Sequence, residues 1–247
     1  IKEAQHFVWI EGSFRLVLSA DVIFKYHIDQ NSLNAFSEET LSQIRFDQEM
    51  ITYQIIGLKK LKKALSIAEF KHYLLSKQAP MPVVQALIEK FMHYKYLDDL
   101  SYAKQFLSSK EGKGPLVIRE QLEKKGISQN IITIVLETMD ERKAVDTIIA
   151  KKLQPKGKTK HQWYQSVYQE LQRKGFTPDV FEPSLLNYQK RLDIDETALI
   201  KSAYEQALKQ YAKKYEGYTL KMKVRQKLYQ NGFSKTMIDS VMQSYSV

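Results

Sequence analysis

One pattern constrains this chain more than any other: an apolar pair one helical turn apart, a glycine turn, a capping residue and a second apolar stripe. Its clearest copy has Ile118 and Leu122, the turn Lys125-Gly126-Ile127-Ser128, then Ile131, Ile132, Val135 and Leu136. Glycine is the residue best suited to a left-handed helix stop, and a serine close behind it can cap a new helix. The segment therefore reads as helix, tight turn, helix. The same order recurs at Val167, Leu171, Lys174-Gly175-Phe176-Thr177, Val180 and Phe181. It recurs again at Val224, Leu228, Asn231-Gly232-Phe233-Ser234, Met237 and Ile238. A worn upstream copy runs Phe70, Leu74, Lys77-Gln78-Ala79-Pro80, Val83 and Val84, with glutamine in the glycine column. Along that column the copies follow one another after 48, 49 and 57 residues, a period that marks a helical repeat protein.

The apolar columns agree across the copies. Phe70, Ile118, Val167 and Val224 stand eight residues before the turn column, and Leu74, Leu122, Leu171 and Leu228 stand four before it. Ala79, Ile127, Phe176 and Phe233 follow it directly. A helix-turn-helix must bury its inner corner, so all of these are expected in the core. The register also predicts that Gly126, Gly175 and Gly232 sit just past a helix end with positive φ. Gln78 is expected not to need that conformation.

Acidic clusters mark the start of each later copy: Asp98-Asp99, Asp140-Glu141 and Asp193-x-Asp195-Glu196. Each is read as an N-cap, since carboxylates are stabilised at the positive end of the helix dipole. Each copy is then three helices: one opened by acids, one ending in the turn, and one starting at Ser, Thr or Pro. Thr177-Pro178 fits as cap and first helical residue. Ser66-Ile67-Ala68-Glu69 has the spacing of a capping box. Upstream, Ser37 with Glu38 and Glu39 reads as a helix start, and residues 47–64 as a longer helix weakened at Gly57. Pro80 and Pro82 are expected to break the chain before a helix over residues 83–94.

The first 36 residues differ from the rest. Phe7–Ile10, Phe14–Leu18 and Val22–Ile28 are short aromatic and β-branched runs, expected as a small antiparallel meander that serves as a cap or an extra contact surface. The fold class is therefore mainly α: tandem three-helix repeats in an elongated, curved array behind a small β-rich segment. The expected divisions are a β segment at 1–36 and repeats at 37–97, 98–139, 140–192 and 193–247.

The balance of 38 Lys and Arg against 28 Asp and Glu gives a formal charge of +10. A chain this basic is expected to meet an acidic partner: nucleic acid, an anionic membrane or an acidic protein surface. Two stretches concentrate the charge. Residues 142–160 hold seven basic side chains against Asp146, and residues 209–227 hold seven against Glu216. Gln154-Pro155-Lys156-Gly157-Lys158-Thr159 inside the first is read as a flexible loop. A charge run is commonly a solvated face, but two in neighbouring repeats favour a surface turned toward anions.

Other chemistry finds no motif. His6, His27, His72, His93 and His161 show no metal-ligand spacing, and the chain has no Cys. Gly112-Lys113-Gly114 lacks the frame of a phosphate loop. The 15 Tyr and 11 Phe could stack bases, though most at helical spacing read as core. No cofactor, metal or catalytic group is expected. No apolar run approaches the roughly 18 residues of a membrane span, and no secretory leader is evident. The chain opens at Ile1 without Met, so residues preceding it are expected. A cytoplasmic monomer is expected.

With the repeat in place, residues 96–128 resemble the signature of the RecX regulatory proteins. The match lies in Tyr96-Leu97-Asp98-Asp99, Tyr102-Ala103, Lys113-Gly114-Pro115, Ile118, Leu122 and Lys125-Gly126-Ile127-Ser128. The likeness extends more weakly from about Ala64 to the C-terminus, and the β-rich start and extra repeat are similar to the long Gram-positive form. The chain departs from the pattern at Gln78-Ala79, at Asn231 in place of Lys, and in the long first helix of the last repeat. The resemblance implies a non-enzymatic regulator that binds RecA–DNA filaments and usually inhibits ATP hydrolysis, strand exchange and filament growth. Candidate contacts are Arg119, Lys124 and Lys125; Lys151, Lys152, Lys156, Lys158, Lys160, Arg173 and Lys174; and Lys221, Lys223, Arg225 and Lys227. Weak, non-specific binding of single- or double-stranded DNA is expected beside RecA. Two other readings stand: a sequence-tolerant DNA-binding module independent of RecA, and a scaffold for an acidic protein.

Overall fold

The structure, a computed structural model, describes residues 5–10, 13–28, 36–155 and 157–245, with the backbone alone for 5–10 and 13–16. Strands β1 (Gln5–Ile10) and β2 (Ser13–Ser19) pair antiparallel, Gln5 opposite Ser19. The expected third strand over 22–28 is instead a short helix, α1 (Ala20–Lys25). The reason lies in packing. Val22 is buried with Leu18 and Ile44, and Ile23 and Tyr26 pack against the same cluster. Spacings of one and four residues gather on one side of a helical turn, whereas a strand would divide them between two faces.

Helix α2 (Glu38–Lys60) opens at Ser37, whose side chain accepts from the Thr40 N–H. It is continuous through Gly57 and stops at Lys60, which corrects the expected helix over 47–64. Gly57 makes room for a neighbour. A Cβ there would lie 2.9 Å from Cζ of Phe70 and 3.2 Å from Cε2 of Phe91. Then come α3 (Ile67–Ser76) and α4 (Met81–His93). Pro80 is the N-cap of α4 and Pro82 lies in its first turn, so these prolines start the helix, two residues earlier than expected. The capping box of Ser66 and Glu69 is formed.

The remaining helices are α5 (Asp99–Ser108), α6 (Pro115–Lys124), α7 (Gln129–Glu137), α8 (Glu141–Ala150), α9 (Lys160–Arg173), α10 (Pro178–Arg191), α11 (Glu196–Tyr211), α12 (Gly217–Gln230) and α13 (Lys235–Ser244). The acids cap as expected. Asp98 accepts from Ser101 N–H, Asp140 from Lys143 N–H, and Asp195 from the N–H groups of Thr197 and Ala198. Thr177 occupies the N-cap of α10 but makes no side-chain cap bond.

All four turns close with the same pair of hydrogen bonds. Ile127 N–H reaches Leu122 O at 3.1 Å, and Gly126 N–H reaches Glu123 O at 2.8 Å. The bonds that correspond to the first of these run from Phe176 to Leu171, Phe233 to Leu228 and Ala79 to Leu74. This is a Schellman stop, and its apolar contact joins the residue after the turn to the leucine column. Every residue of the three predicted apolar columns is buried. Gly126, Gly175 and Gly232 have φ of 74°, 90° and 84°. Gln78 has φ 65°, contrary to expectation. The bond from Ala79 N–H to Leu74 O requires the left-handed conformation whatever side chain is present.

The chain divides into two compact units, residues 1–107 with 121–135 and residues 108–120 with 136–247. In the first, Phe70, Leu74, Val83, Leu87 and Phe91 form the largest cluster, with Leu97. In the second, Val145, Trp163, Leu171, Phe181 and Leu185 form one cluster. Ile200, Val224, Leu228 and Ile238 form another.

Candidate functional site

The residues that carry the signature are tied to the turns. In the first unit, Ser66 Oγ donates to Lys125 O at 2.6 Å, so the cap of α3 also satisfies a carbonyl left open at the end of α6. Gly126 packs so closely here that a Cβ on it would lie 2.3 Å from Cβ of Ala68. In the second unit, Gly114 N–H donates to Lys174 O at 2.7 Å and Leu116 N–H to Gly175 O at 3.2 Å. A Cβ on Gly114 would stand 2.4 Å from the Gly175 carbonyl. Thr159 Oγ1 likewise donates to Asn231 O at 3.1 Å, with Gly232 against His161. Three times, therefore, the residue opening one helix bonds the carbonyl just before a downstream turn glycine. Within Lys113-Gly114-Pro115, Gly114 is thus a position of close backbone packing.

Around the first of these joints lies a polar network. Glu69 accepts from Lys125 Nζ at 2.5 Å, from Ser66 N–H at 3.2 Å and from the Tyr102 hydroxyl at 3.2 Å. Burial pushes the Glu69 carboxyl up, but Lys125, Ser66 and Tyr102 together hold it below the ordinary carboxylate value. Asp99 accepts from Ile67 N–H at 2.9 Å, capping α3 from outside. Its burial, reinforced by Asp98 and Glu69, raises its pKa against that bond. Glu196 caps α9 from outside in turn, accepting from Lys160 N–H at 2.7 Å. These acids lie 32 and 36 residues from the groups they cap, a separation that local spacing does not reveal. The capping box of Thr159 and Gln162 has the spacing Thr-x-x-Gln, but its Thr159 is the last residue of the stretch read as a flexible loop.

The candidate cations fall into two groups. Several hold the fold together. Lys125 binds Glu69, and Lys152 and Lys174 both face Glu170, at 2.8 and 3.9 Å. Arg225 pairs with Asp239, and Lys158 Nζ reaches Ser166 Oγ at 3.3 Å. Lys160 is half-buried with its backbone between Glu196 and Gln189. Of the others, Lys124, Lys151, Arg173 and Lys221 are exposed, and Arg119, Lys223 and Lys227 are half-exposed. Lys223 lies over the Tyr215 ring at 5.8 Å. Lys156 lies outside the described residues.

Helix α12 gathers the last group. It carries Lys221, Lys223, Arg225 and Lys227 and no acidic side chain. Its inner face buries Val224 and Leu228, while Tyr218, Met222 and Tyr229 remain 79%, 46% and 45% exposed. The exposed aromatic residues escaped the sequence reading because most Tyr at helical spacing was assigned to core. No described helix is long and apolar enough to cross a membrane.

Comparison with known proteins decides the family. The model of the RecX second three-helix domain matches residues 98–136. The regulatory protein RecX of Halalkalibacterium halodurans is 30% identical over 81% of this chain and 79% of its own length. The chain belongs to the RecX family. Other RecX relatives are those of Oceanobacillus iheyensis, 32% identical over 69% of this chain and 66% of that one, and of Bacillus subtilis, 27% identical over 96% and 92%. A solved crystal structure of regulatory protein RecX is 16% identical and covers 97% of this chain and 93% of its own, with a TM-score of 0.45. Within the RecX-matched segment, Asp98, Asp99, Tyr102, Gly114, Lys125 and Gly126 all serve helix ends or the joints between them.

Proposed function

We propose that this RecX family member is a non-enzymatic regulator that binds RecA–DNA filaments and restrains ATP hydrolysis, strand exchange and filament growth. Family membership carries this reading. The formal charge of +10 supports it, because a filament presents DNA phosphates to whatever binds it. The unit of recognition is a set of four three-helix repeats at 37–97, 98–139, 140–192 and 193–247, preceded by the 1–36 segment. Binding is by a cytoplasmic monomer without cofactor. Exposed charge contacts are individually weak, so affinity comes from several acting together. Arg119, Lys124, Lys151, Arg173, Lys221, Lys223 and Lys227 are the foremost candidates, and Lys156 and Lys158 extend the set.

The test is RecA ATPase on single-stranded DNA with substoichiometric protein added. A fall in rate with shortened filaments is expected. Unchanged ATPase, strand exchange and filament length would refute the reading. The competing reading, a DNA-binding module independent of RecA, requires bare DNA to be bound as tightly as the filament.

A further inference from the structure

We infer that the outward face of α12 is a stacking surface for single-stranded DNA, with Tyr218 and Tyr229 as the base platforms. Tyr218, Met222, Arg225 and Tyr229 follow one another at i, i+4, i+7 and i+11, which places them on one stripe. A different face of the helix is committed to the core through Val224 and Leu228. Aromatic rings held outward on a packed helix cost little further entropy to use. Tyr218 is the second most exposed large hydrophobic side chain among the described residues, after Phe24. Thr219, Met222, Lys223, Arg225, Gln226 and Tyr229 line a shallow groove along the stripe.

The charge of this helix fixes the partner's sign. Lys221 lies on one flank of the stripe and Lys223 lines the groove on the other side, so a chain laid along the aromatics would have cations near its phosphates. Arg225 is paired with Asp239, whose carboxylate offsets its charge. Rings for bases and flanking lysines for phosphates are the two elements of sequence-tolerant single-strand binding. Duplex DNA hides its base faces, so the rings favour the single strand. About eleven residues separate the two tyrosines, or roughly 16 Å at about 1.5 Å per residue, room for more than one nucleotide. The inference extends the proposed function by giving the protein its own DNA contact. Only the choice of DNA over RNA rests on that reading.

The test omits RecA, so its failure and that of the RecA reading are separable. Binding of a fluorescent oligothymidylate is followed by anisotropy over a salt series, for the full chain and for Tyr218→Ala, Tyr218→Phe, Tyr218→Ala/Tyr229→Ala and Lys221→Gln/Lys223→Gln. Tyr218→Ala is expected to weaken binding about tenfold with an unchanged salt slope, and the double tyrosine variant further. Tyr218→Phe should retain affinity, since the ring face suffices. The lysine variant should lower the salt slope by about one unit for each phosphate it no longer neutralises. Photo-crosslinking to an iodouridine-substituted strand should label Tyr218 or Tyr229. Unchanged affinity in the folded double tyrosine variant would overturn the inference. So would equal affinity for duplex, preference for an RNA strand, or competition by an acidic peptide with no binding of the oligonucleotide.

Discussion

The turn after α3 and the turns after α6, α9 and α12 have the same backbone, yet only the first carries a side chain in the left-handed position. Gln78 is exposed, and its turn is steadied by the Tyr53 hydroxyl, which donates to Lys77 O and Gln78 O at 3.3 and 3.1 Å. In the later turns the corresponding carbonyls of Lys125, Lys174 and Asn231 accept instead from the residue that opens an earlier helix. There the glycine lies where any Cβ would collide, with Ala68, Val117 or His161. Glycine thus meets two demands that separate cleanly in this molecule. The conformation alone is tolerated by Gln78 at a cost of about 1–2 kcal/mol. The conformation combined with close approach admits glycine only.

The largest effect should come where both demands meet. Gly126→Val places a β-branched residue at φ 74° and drives its Cβ into Ala68. Strain of about 1–2 kcal/mol and overpacking of about 1–3 kcal/mol predict a total loss near 3 kcal/mol in urea unfolding. A loss no greater than that from strain would make the contact with Ala68 unimportant. The opposite change at the first turn should help: Gln78→Gly relieves strain and should raise stability by about 1 kcal/mol, less the added chain entropy of glycine. Destabilisation there would mean that the glutamine side chain has a use beyond the turn.

A smaller effect concerns the polar network at the first joint. Glu69 is held below its ordinary pKa, so its contribution is present above its unfolded value and is lost as pH falls through the folded one. Glu69→Gln should therefore lower the melting temperature at about pH 7 and leave it nearly unchanged at about pH 3. Asp99 has the opposite sign. Its raised pKa makes a contribution that is present below its unfolded value and lost as pH rises through the folded one. An equal cost of Glu69→Gln at both pH values would show that the joint does not depend on this charge.

Much of this was legible in the residues because it is local. The leucine column, the residue after each turn and the acidic caps all act within one or two helical turns, and spacing exposes them. What the sequence hid acts at a distance. Gly126, Gly175 and Gly232 read as helix stops, and nothing nearby announced that Ala68, Val117 and His161 would press against them. Lys125 reads as a surface cation, yet its ammonium is taken by Glu69, 56 residues earlier. Val22 and Ile23 fit strand and helix equally in so short a run, and burial against Ile44 decided for the helix. For the basic residues, periodicity marks a helix face but not the acid opposite it. Lys152 and Lys174 look no different in sequence from Lys221, yet both are engaged by Glu170.

Gly114 offers the most direct test of the claim that close approach, apart from backbone conformation, holds these joints. It is absent from the glycines with positive φ, so alanine there adds no left-handed strain. Its added Cβ would meet the Gly175 carbonyl at 2.4 Å and the Phe176 N at 2.6 Å, where the backbone bond from Gly114 to Lys174 is formed. The measurement is equilibrium unfolding of Gly114→Ala beside the parent chain. Overpacking and a weakened hydrogen bond predict a loss of about 2 kcal/mol or more. A neutral or stabilising result, as expected for Gly→Ala at an open position, would contradict the claim.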